Sequence, residues 1–218
     1  SFMFRMWRRC NLADYRAGTE ALLQLTTGTM ELLDGYREDG IEFEMHVDGL
    51  LMAFLSEGKL DAHRENLDVM ESFGLEPRVL IGDAVRDQEP ALSDAVYGGI
   101  YFPTERHLDP AALGGALRER CLGLGVEIVE GTPVDGVERS GSRVRAVLAG
   151  STRCASDAFL LAAGAWSGPM SKLLGVALPV RPGKGYSLDL PASELRSPVY
   201  LTEAKVAVTP LDAKLRLA

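Results

Sequence analysis

The stretch Phe159-Leu-Leu-Ala-Ala-Gly-Ala-Trp-Ser167 decides the interpretation of this 218-residue chain. It overlaps a nearly continuous apolar run over 157–163 that ends in small residues at Gly164. A continuous apolar run is typical of a strand buried on both faces, and small residues at its carboxyl end let a ligand approach the backbone. A core strand that turns into a helix at a small-residue corner has the same pattern. We predict a buried strand over 157–163 and keep both interpretations open at this point.

The residues before this run have the pattern of an α/β unit. Asp109-Pro110 predicts the start of a helix, because aspartate caps free N–H groups and proline at the first position loses no needed donor. Three short strands are predicted to follow, at 126–129, 134–139 and 143–148.

The two ends of the chain predict a second, more antiparallel arrangement. Apolar spacing predicts one long helix, or two separated near Gly28, and an Asp48-Gly49 dipeptide predicts a hairpin turn between two strands. The helices are predicted at 11–36, 56–73, with Ser56 as N-cap, and 82–92. The strands are predicted at 43–46, 49–55, 96–102, 184–190, 199–202, 205–209 and 214–217.

Composition excludes several classes of protein. The chain is 46% hydrophobic with a formal net charge of −8, which disfavours binding to nucleic acid or to an anionic membrane. No apolar run approaches the roughly 20 residues of a transmembrane helix. We expect a soluble chain without a transmembrane segment.

Cysteine and histidine usage predicts neither disulfides nor a metal site. Three cysteines without CxxC spacing favour a reducing, cytoplasmic location. The three histidines have no metal-ligand spacing to one another or to cysteines. Acidic residues are interpreted as parts of solvated faces, namely Glu42, Glu44, Glu76 and Glu89.

Several motifs in a fixed order resemble the D-amino-acid oxidase superfamily of FAD-dependent enzymes, which includes glycine oxidase, sarcosine oxidase and D-amino-acid dehydrogenases. Leu161-Ala-Ala-Gly-Ala-Trp-Ser167 resembles its second flavin-contacting motif. The other matching segments are Gly99-Ile-Tyr-Phe-Pro103 with His107-Leu-Asp-Pro110, Gly125-Val-Glu-Ile-Val-Glu-Gly-Thr-Pro-Val134, Pro179-Val-Arg-Pro-Gly-Lys-Gly-Tyr186 and Val206-Ala-Val-Thr-Pro210.

The resemblance implies an α+β fold in which a mixed, largely antiparallel substrate-domain sheet with packed helices joins part of an α/β FAD-binding domain. It implies a substrate domain at 1–106 and 169–218 and a partial FAD-binding domain at 107–168. The implied FAD-binding residues are Val134, Ala162, Ala163, Gly164, Ala165, Trp166 and Ser167. The implied substrate-binding residues are Tyr186, Lys205, Ala207 and Thr209, with the last three on one face of a strand.

The resemblance also implies an oxidoreductase that transfers hydride from a D-amino acid or related secondary amine to flavin. A 2-hydroxy-acid oxidiser and a non-catalytic binding module remain alternatives. The chain lacks the G-x-G-x-x-G turn that grips the FAD pyrophosphate. We therefore expect a fragment that binds FAD weakly or not at all by itself, with no catalytic residue assignable. We also expect self-association or local disorder at the exposed sheet edge over 157–163.

Overall fold

The computed structural model describes residues 2–65, 67–72 and 74–218. The chain divides into two compact units. The first runs up to Gly123 and includes Ser187–Ala218, and the second is Leu124–Tyr186. Each unit is described by itself.

Helices dominate the first half of the chain and strands the last part. The helices are α1 (Phe2–Arg8), α2 (Leu12–Thr26), α3 (Thr29–Glu38), α4 (Glu57–Arg64), α5 (Leu67–Glu71), α6 (Asp83–Gln88), α7 (Pro110–Gly123) and α8 (Ser167–Leu173). The strands are β1 (Met45–His46), β2 (Leu50–Phe54), β3 (Arg78–Ile81), β4 (Gly98–Phe102), β5 (His107–Leu108), β6 (Gly136–Ser140), β7 (Arg143–Ala149), β8 (Thr152–Ala155), β9 (Leu188–Pro191), β10 (Val199–Leu201), β11 (Val206–Leu211) and β12 (Lys214–Leu217).

A seven-stranded sheet organises the first unit, in the order β3-β4-β2-β10-β11-β12-β9. The contact between β2 and β10 is parallel, and all other neighbours in this sheet are antiparallel. The prediction of a mixed, largely antiparallel sheet with packed helices is therefore confirmed.

Both faces of this sheet are buried around β2 and β4. Phe54, Ile100 and Phe102 pack on one face against Leu60 of α4, and partly buried residues of α5 join them. On the opposite face β2 and β10 pack against Val85 of α6. Successive strand residues point to opposite faces, so the apolar run of β2 supplies both clusters. Burying each large side chain contributes about 1.5–3 kcal/mol.

The second unit contains a three-stranded antiparallel sheet, β6-β7-β8. The register shifts between Glu138 and Arg139, which is a bulge in β6. Its buried side chains include Ala146 and Ala149 of β7. After this sheet the chain runs through a 3-10 turn at Gly164–Trp166 into α8.

Helix starts were predicted well. The predicted division near Gly28 is confirmed by the break between α2 and α3, where Gly28 has φ +83°. The α7 start is confirmed at Pro110. The helix predicted over 56–73 is wrong as one piece, because α4 ends at Arg64 and α5 begins at Leu67; its predicted end, Phe73, lies outside the described residues.

Two strand predictions are wrong in their pairing. The hairpin around Asp48-Gly49 does not form. Instead β1 pairs with β5, and β2 lies between β4 and β10. The positive φ of Gly49 (+73°) fits the turn-like sequence. The strands on either side of that turn, β1 and β2, nevertheless pair with other strands and not with each other.

Two predicted strands are absent from the described residues, and three observed strands were missed. Residues 126–129 and 157–163 form no ladder in the part of the chain that the structure describes. The apolar run of 157–163 is not buried: the side chain of Leu160 is 91% exposed. A strand buried on both faces needs neighbours on both sides, and residues 157–163 have none here. The missed strands are β3, β5 and β8.

Candidate functional site

A polar wall lies on one face of the larger sheet where β10, β11 and β12 adjoin. On β11, Ala207 stands opposite Tyr200 of β10, and Thr209 stands opposite Arg216 of β12. Residues directly opposite one another in a sheet project to the same face. These four residues, here called the polar wall, therefore form two neighbouring cross-strand pairs on one face of the sheet. Ala207 and Thr209 are half-buried.

The opposite face of β11 belongs to the core. Val208 stands opposite Val199, which is 2% exposed in the core on the α6 side. The predicted alternation along this strand is thus present in the structure for Ala207 and Thr209. Ala207 has the smallest side chain of the polar wall and stands opposite the much larger Tyr200.

Two predicted substrate residues are not members of the polar wall. Lys205 is exposed in the turn between β10 and β11, with φ +57°, so it does not share the face of Ala207. The prediction that Lys205 belongs to that strand face is therefore wrong. Tyr186 belongs to the second unit, is 82% exposed, and has the Lys184 ammonium 5.2 Å from its ring centre.

Charged pairs border the polar wall. Arg216 donates two hydrogen bonds to Asp189 of β9, at 2.8 and 2.9 Å. The Lys214 ammonium lies 3.1 Å from Asp109 and 3.6 Å from Asp189. The Arg216 guanidinium lowers the pKa of Asp189, and the Ala111 backbone N–H together with Lys214 lowers the pKa of Asp109. Both carboxylates are thus held in the charged form.

Sequence analysis missed Tyr200, Asp189 and Arg216. A signal was present for Arg216, because Lys214 and Arg216 alternate with leucines in β12, which marks one polar face. What the sequence did not provide was the register that places Arg216 beside Thr209.

The short β1–β5 pair brings two histidines together. His46 stands opposite His107, and their rings stack with centroids 4.7 Å apart and planes 15° apart. Burial lowers the pKa of His107, and His46 lowers it further. Glu44 lies 3.0 Å from His46 Nε2. The spacing argument missed this pair because the two histidines are far apart in the sequence.

The predicted flavin-facing residues lie in the second unit. Val134 is half-buried just before β6, and Gly164 begins the 3-10 turn with φ +51°. Apart from Gly164 and its two chain neighbours, no atom of the described residues lies within 4 Å of the position that a Cβ on Gly164 would occupy. Trp166 is 73% exposed and Ser167 is buried. The remaining predicted positions, all small, are Ala162, Ala163 and Ala165.

These residues fit one wall of a flavin site. Small side chains and an open Gly164 leave the backbone of 162–165 accessible to a planar ligand. The pyrophosphate-gripping turn is not part of this sequence, so the fit covers one wall only.

The chain belongs to the FAD dependent oxidoreductase (DAO) family, whose model matches residues 5–217. It is 32% identical over 225 residues to a D-amino acid dehydrogenase of Sinorhizobium medicae, with 100% of this chain and 54% of that protein covered. A D-amino acid dehydrogenase of Bradyrhizobium diazoefficiens is 29% identical over 224 residues, with 99% and 53% covered. The chain therefore spans about half the length of the curated relatives it matches.

Solved structures show the same fold. Glycine oxidase from Geobacillus kaustophilus superposes with a TM-score of 0.78 at 23% identity, covering 89% of this chain and 53% of that one. No helix among the described residues is long and apolar enough to cross a membrane.

Proposed function

We propose that this chain is the substrate-binding portion of an FAD-dependent enzyme that oxidises a D-amino acid or a related secondary amine by hydride transfer. The observation that carries the proposal is the similarity to D-amino acid dehydrogenases over 99–100% of the chain. In this proposal, residues 1–106 and 169–218 belong to the substrate domain, and residues 107–168 belong to the FAD-binding domain.

FAD, when bound, accepts the hydride that leaves the substrate α-carbon. The role of this chain is to hold the substrate in place with its amine neutral. The polar wall suits that task, because Ala207 leaves room for a side chain while the Thr209 and Tyr200 hydroxyls can donate and accept hydrogen bonds. Arg216 is already paired with Asp189, so its charge serves to fix the β12–β9 edge of the wall.

The flavin-facing part of the proposal rests on Val134 and on 162–167. Accessible backbone at Gly164 supports it. Without the pyrophosphate-gripping turn, the 218-residue chain alone is expected to bind FAD weakly or not at all. Self-association through 157–163 and a cytoplasmic location remain predictions from the sequence.

Anaerobic flavin reduction tests the proposed activity. A protein that contains this chain together with a nucleotide-binding segment would be loaded with FAD and mixed with matched D- and L-amino acids. We expect the visible flavin absorbance to bleach with D-amino acids or secondary amines and not with the L-enantiomers. Bleaching by 2-hydroxy acids alone would favour the hydroxy-acid alternative. A protein that binds FAD and is reduced by none of these would support a non-catalytic module.

A further inference from the structure

A cluster of imidazole and carboxylate groups lies at the β1–β5 pair, in the first unit and separate from the polar wall residues. One ring nitrogen of His46, one of His107 and a carboxylate oxygen of Asp48 all lie within 4.8 Å of one another. Four-coordinate zinc has bonds of about 2.0–2.2 Å, which places neighbouring donor atoms about 3.4 Å apart. Side-chain movements of about an ångström would therefore bring these three donors to one cation.

One nitrogen of the His107 ring has no hydrogen-bond partner in the part of the chain that the structure describes. His107 Nδ1 is buried and has no hydrogen-bond partner by geometry, although the Pro210 backbone acts on the His107 ring as a hydrogen-bond partner that raises its pKa. Buried polar atoms are nearly always satisfied, so one without a partner indicates a ligand or another missing partner. His46, by contrast, already has Glu44 beside its Nε2. A stacked histidine pair with a purely structural role would leave His107 Nδ1 unexplained.

The surrounding charge favours a cation. Glu44 also accepts a hydrogen bond from the Asp212 backbone N–H at 2.7 Å, and the Asp212 carboxylate lies 3.5 Å from His46 Nε2. Glu44, His46 and Asp212 thus form a second set of donors that shares His46. Lys214, at the end of the same hairpin, is paired with Asp109 and Asp189.

The turn that carries Asp48 is fixed by its neighbours. Tyr101 donates its hydroxyl to the Asp48 carbonyl at 3.0 Å, and the Gly49 N–H donates to the Glu105 carbonyl at 3.1 Å. A Cβ on Gly49 would lie 2.5 Å from the Tyr101 hydroxyl oxygen. Metal sites bind better when their ligands stand on such constrained backbone.

We propose that His46, His107 and Asp48 bind a divalent transition-metal cation of the zinc type, and that Glu44 orients His46. Two imidazoles with one carboxylate are ligands that suit zinc, and a carboxylate beside a ligating histidine is its usual outer partner. The proposal concerns a site that neither the sequence motifs nor the proposed redox activity requires. It replaces the expectation from sequence spacing that the chain holds no metal site.

Calorimetric titration of the tag-free 218-residue chain with Zn²⁺ tests the site. We expect one equivalent to bind with a dissociation constant of about 1 μM or tighter. His46→Ala or His107→Ala should weaken binding by at least about 100-fold, and Glu44→Gln by about 10–100-fold. An equal concentration of Mg²⁺ should not compete, because Mg²⁺ prefers oxygen ligands.

The matched control is His63→Ala. His63 is the third histidine of the chain and lies on α4, where its Nδ1 is 2.9 Å from the Lys59 carbonyl oxygen. Its replacement should leave the zinc affinity unchanged. Circular dichroism verifies that each variant is folded, and Co²⁺ spectra of the Asp48→Asn variant report the ligand set independently of the histidine variants.

Three results would overturn the proposal. The first is the absence of stoichiometric zinc binding. The second is a folded His107→Ala protein that binds as tightly as the unmodified chain. The third is an affinity that depends on the exposed thiols of Cys10 and Cys154, or on His63, rather than on His46 and His107.

Discussion

Replacing Glu89 with alanine is expected to lower the free energy of unfolding by about 3–5 kcal/mol. The Glu89 side chain is fully buried, and its carboxylate accepts hydrogen bonds from the backbone N–H groups of Ala91, Arg196 and Ser197, at 3.2, 2.8 and 3.2 Å. Alanine would remove the acceptor of all three donors, of which the one at Ser197 is buried, and a buried donor left without a partner costs about 1–3 kcal/mol. The empty space left by the fully buried side chain adds to the loss. Urea unfolding followed by circular dichroism measures the change.

Two further variants make this test specific. Glu89→Gln keeps one acceptor oxygen and should lose less stability than Glu89→Ala. The exposed Glu76 is a matched control, and Glu76→Ala should change the stability by no more than about 0.5 kcal/mol. Equal stability of Glu89→Ala and the unmodified protein would show that the carboxylate does not hold the 196–197 connection to the end of α6.

Replacing Gly98 with alanine is the second change with a large expected effect. A Cβ at this position of β4 would lie 2.6 Å from the Leu80 carbonyl oxygen and 3.1 Å from a Leu60 methyl carbon. The nearer atom is backbone in the neighbouring strand β3, so the β3–β4 pairing must move to accept it. We expect a loss of about 1–3 kcal/mol, the range for overpacking a core, measured by the same urea unfolding.

Gly114 of α7 is the opposite case. A Cβ there meets nothing within 4 Å, and alanine favours a helix over glycine by about 0.5–1 kcal/mol. Gly114→Ala should therefore leave stability unchanged or raise it. If both glycine variants lost stability equally, close packing at β4 would not be the cause.

Local signals in the sequence predicted the elements that depend on neighbouring residues. The first helix was predicted to begin at Asn11, and α2 begins one residue later, at Leu12. The Asn11 side chain caps α2 by accepting a hydrogen bond from the Asp14 N–H at 3.0 Å. Asp109 caps α7 in the same way by accepting a hydrogen bond from the Ala111 N–H. Caps act over two or three residues, so the sequence shows them directly.

Contacts between distant residues were not predictable in this way. Asp48-Gly49 has the sequence of a hairpin turn, but β1 pairs with β5 because strand pairing depends on packing across the whole unit. Glu89 was interpreted as solvated, but it is buried. The N–H donors to its carboxylate come from residues 196 and 197, which are more than 100 positions away in the sequence. The His46–His107 stack was not predicted either, because it depends on the pairing of β1 with β5, which are far apart in the sequence.

The candidate substrate site was partly predictable. The alternation of β11 placed Ala207 and Thr209 on one face, because the side-chain period of a strand is local. Lys205 was misplaced because the strand begins one residue later, after a left-handed turn. Tyr200 and Arg216 required the register of two further strands.

The most direct test of the substrate wall is the Michaelis constant of the Ala207→Trp variant, measured in an FAD-loaded protein that contains this chain. Ala213 is exposed in the β11–β12 turn, so Ala213→Trp provides the matched control, and the visible flavin spectrum verifies that both variants retain the cofactor. The account predicts at least about a tenfold rise in the Michaelis constant for Ala207→Trp, equivalent to about 1.4 kcal/mol of lost binding, and no change for Ala213→Trp. An unchanged Michaelis constant in a folded, FAD-containing Ala207→Trp protein would contradict the assignment of this wall to the substrate.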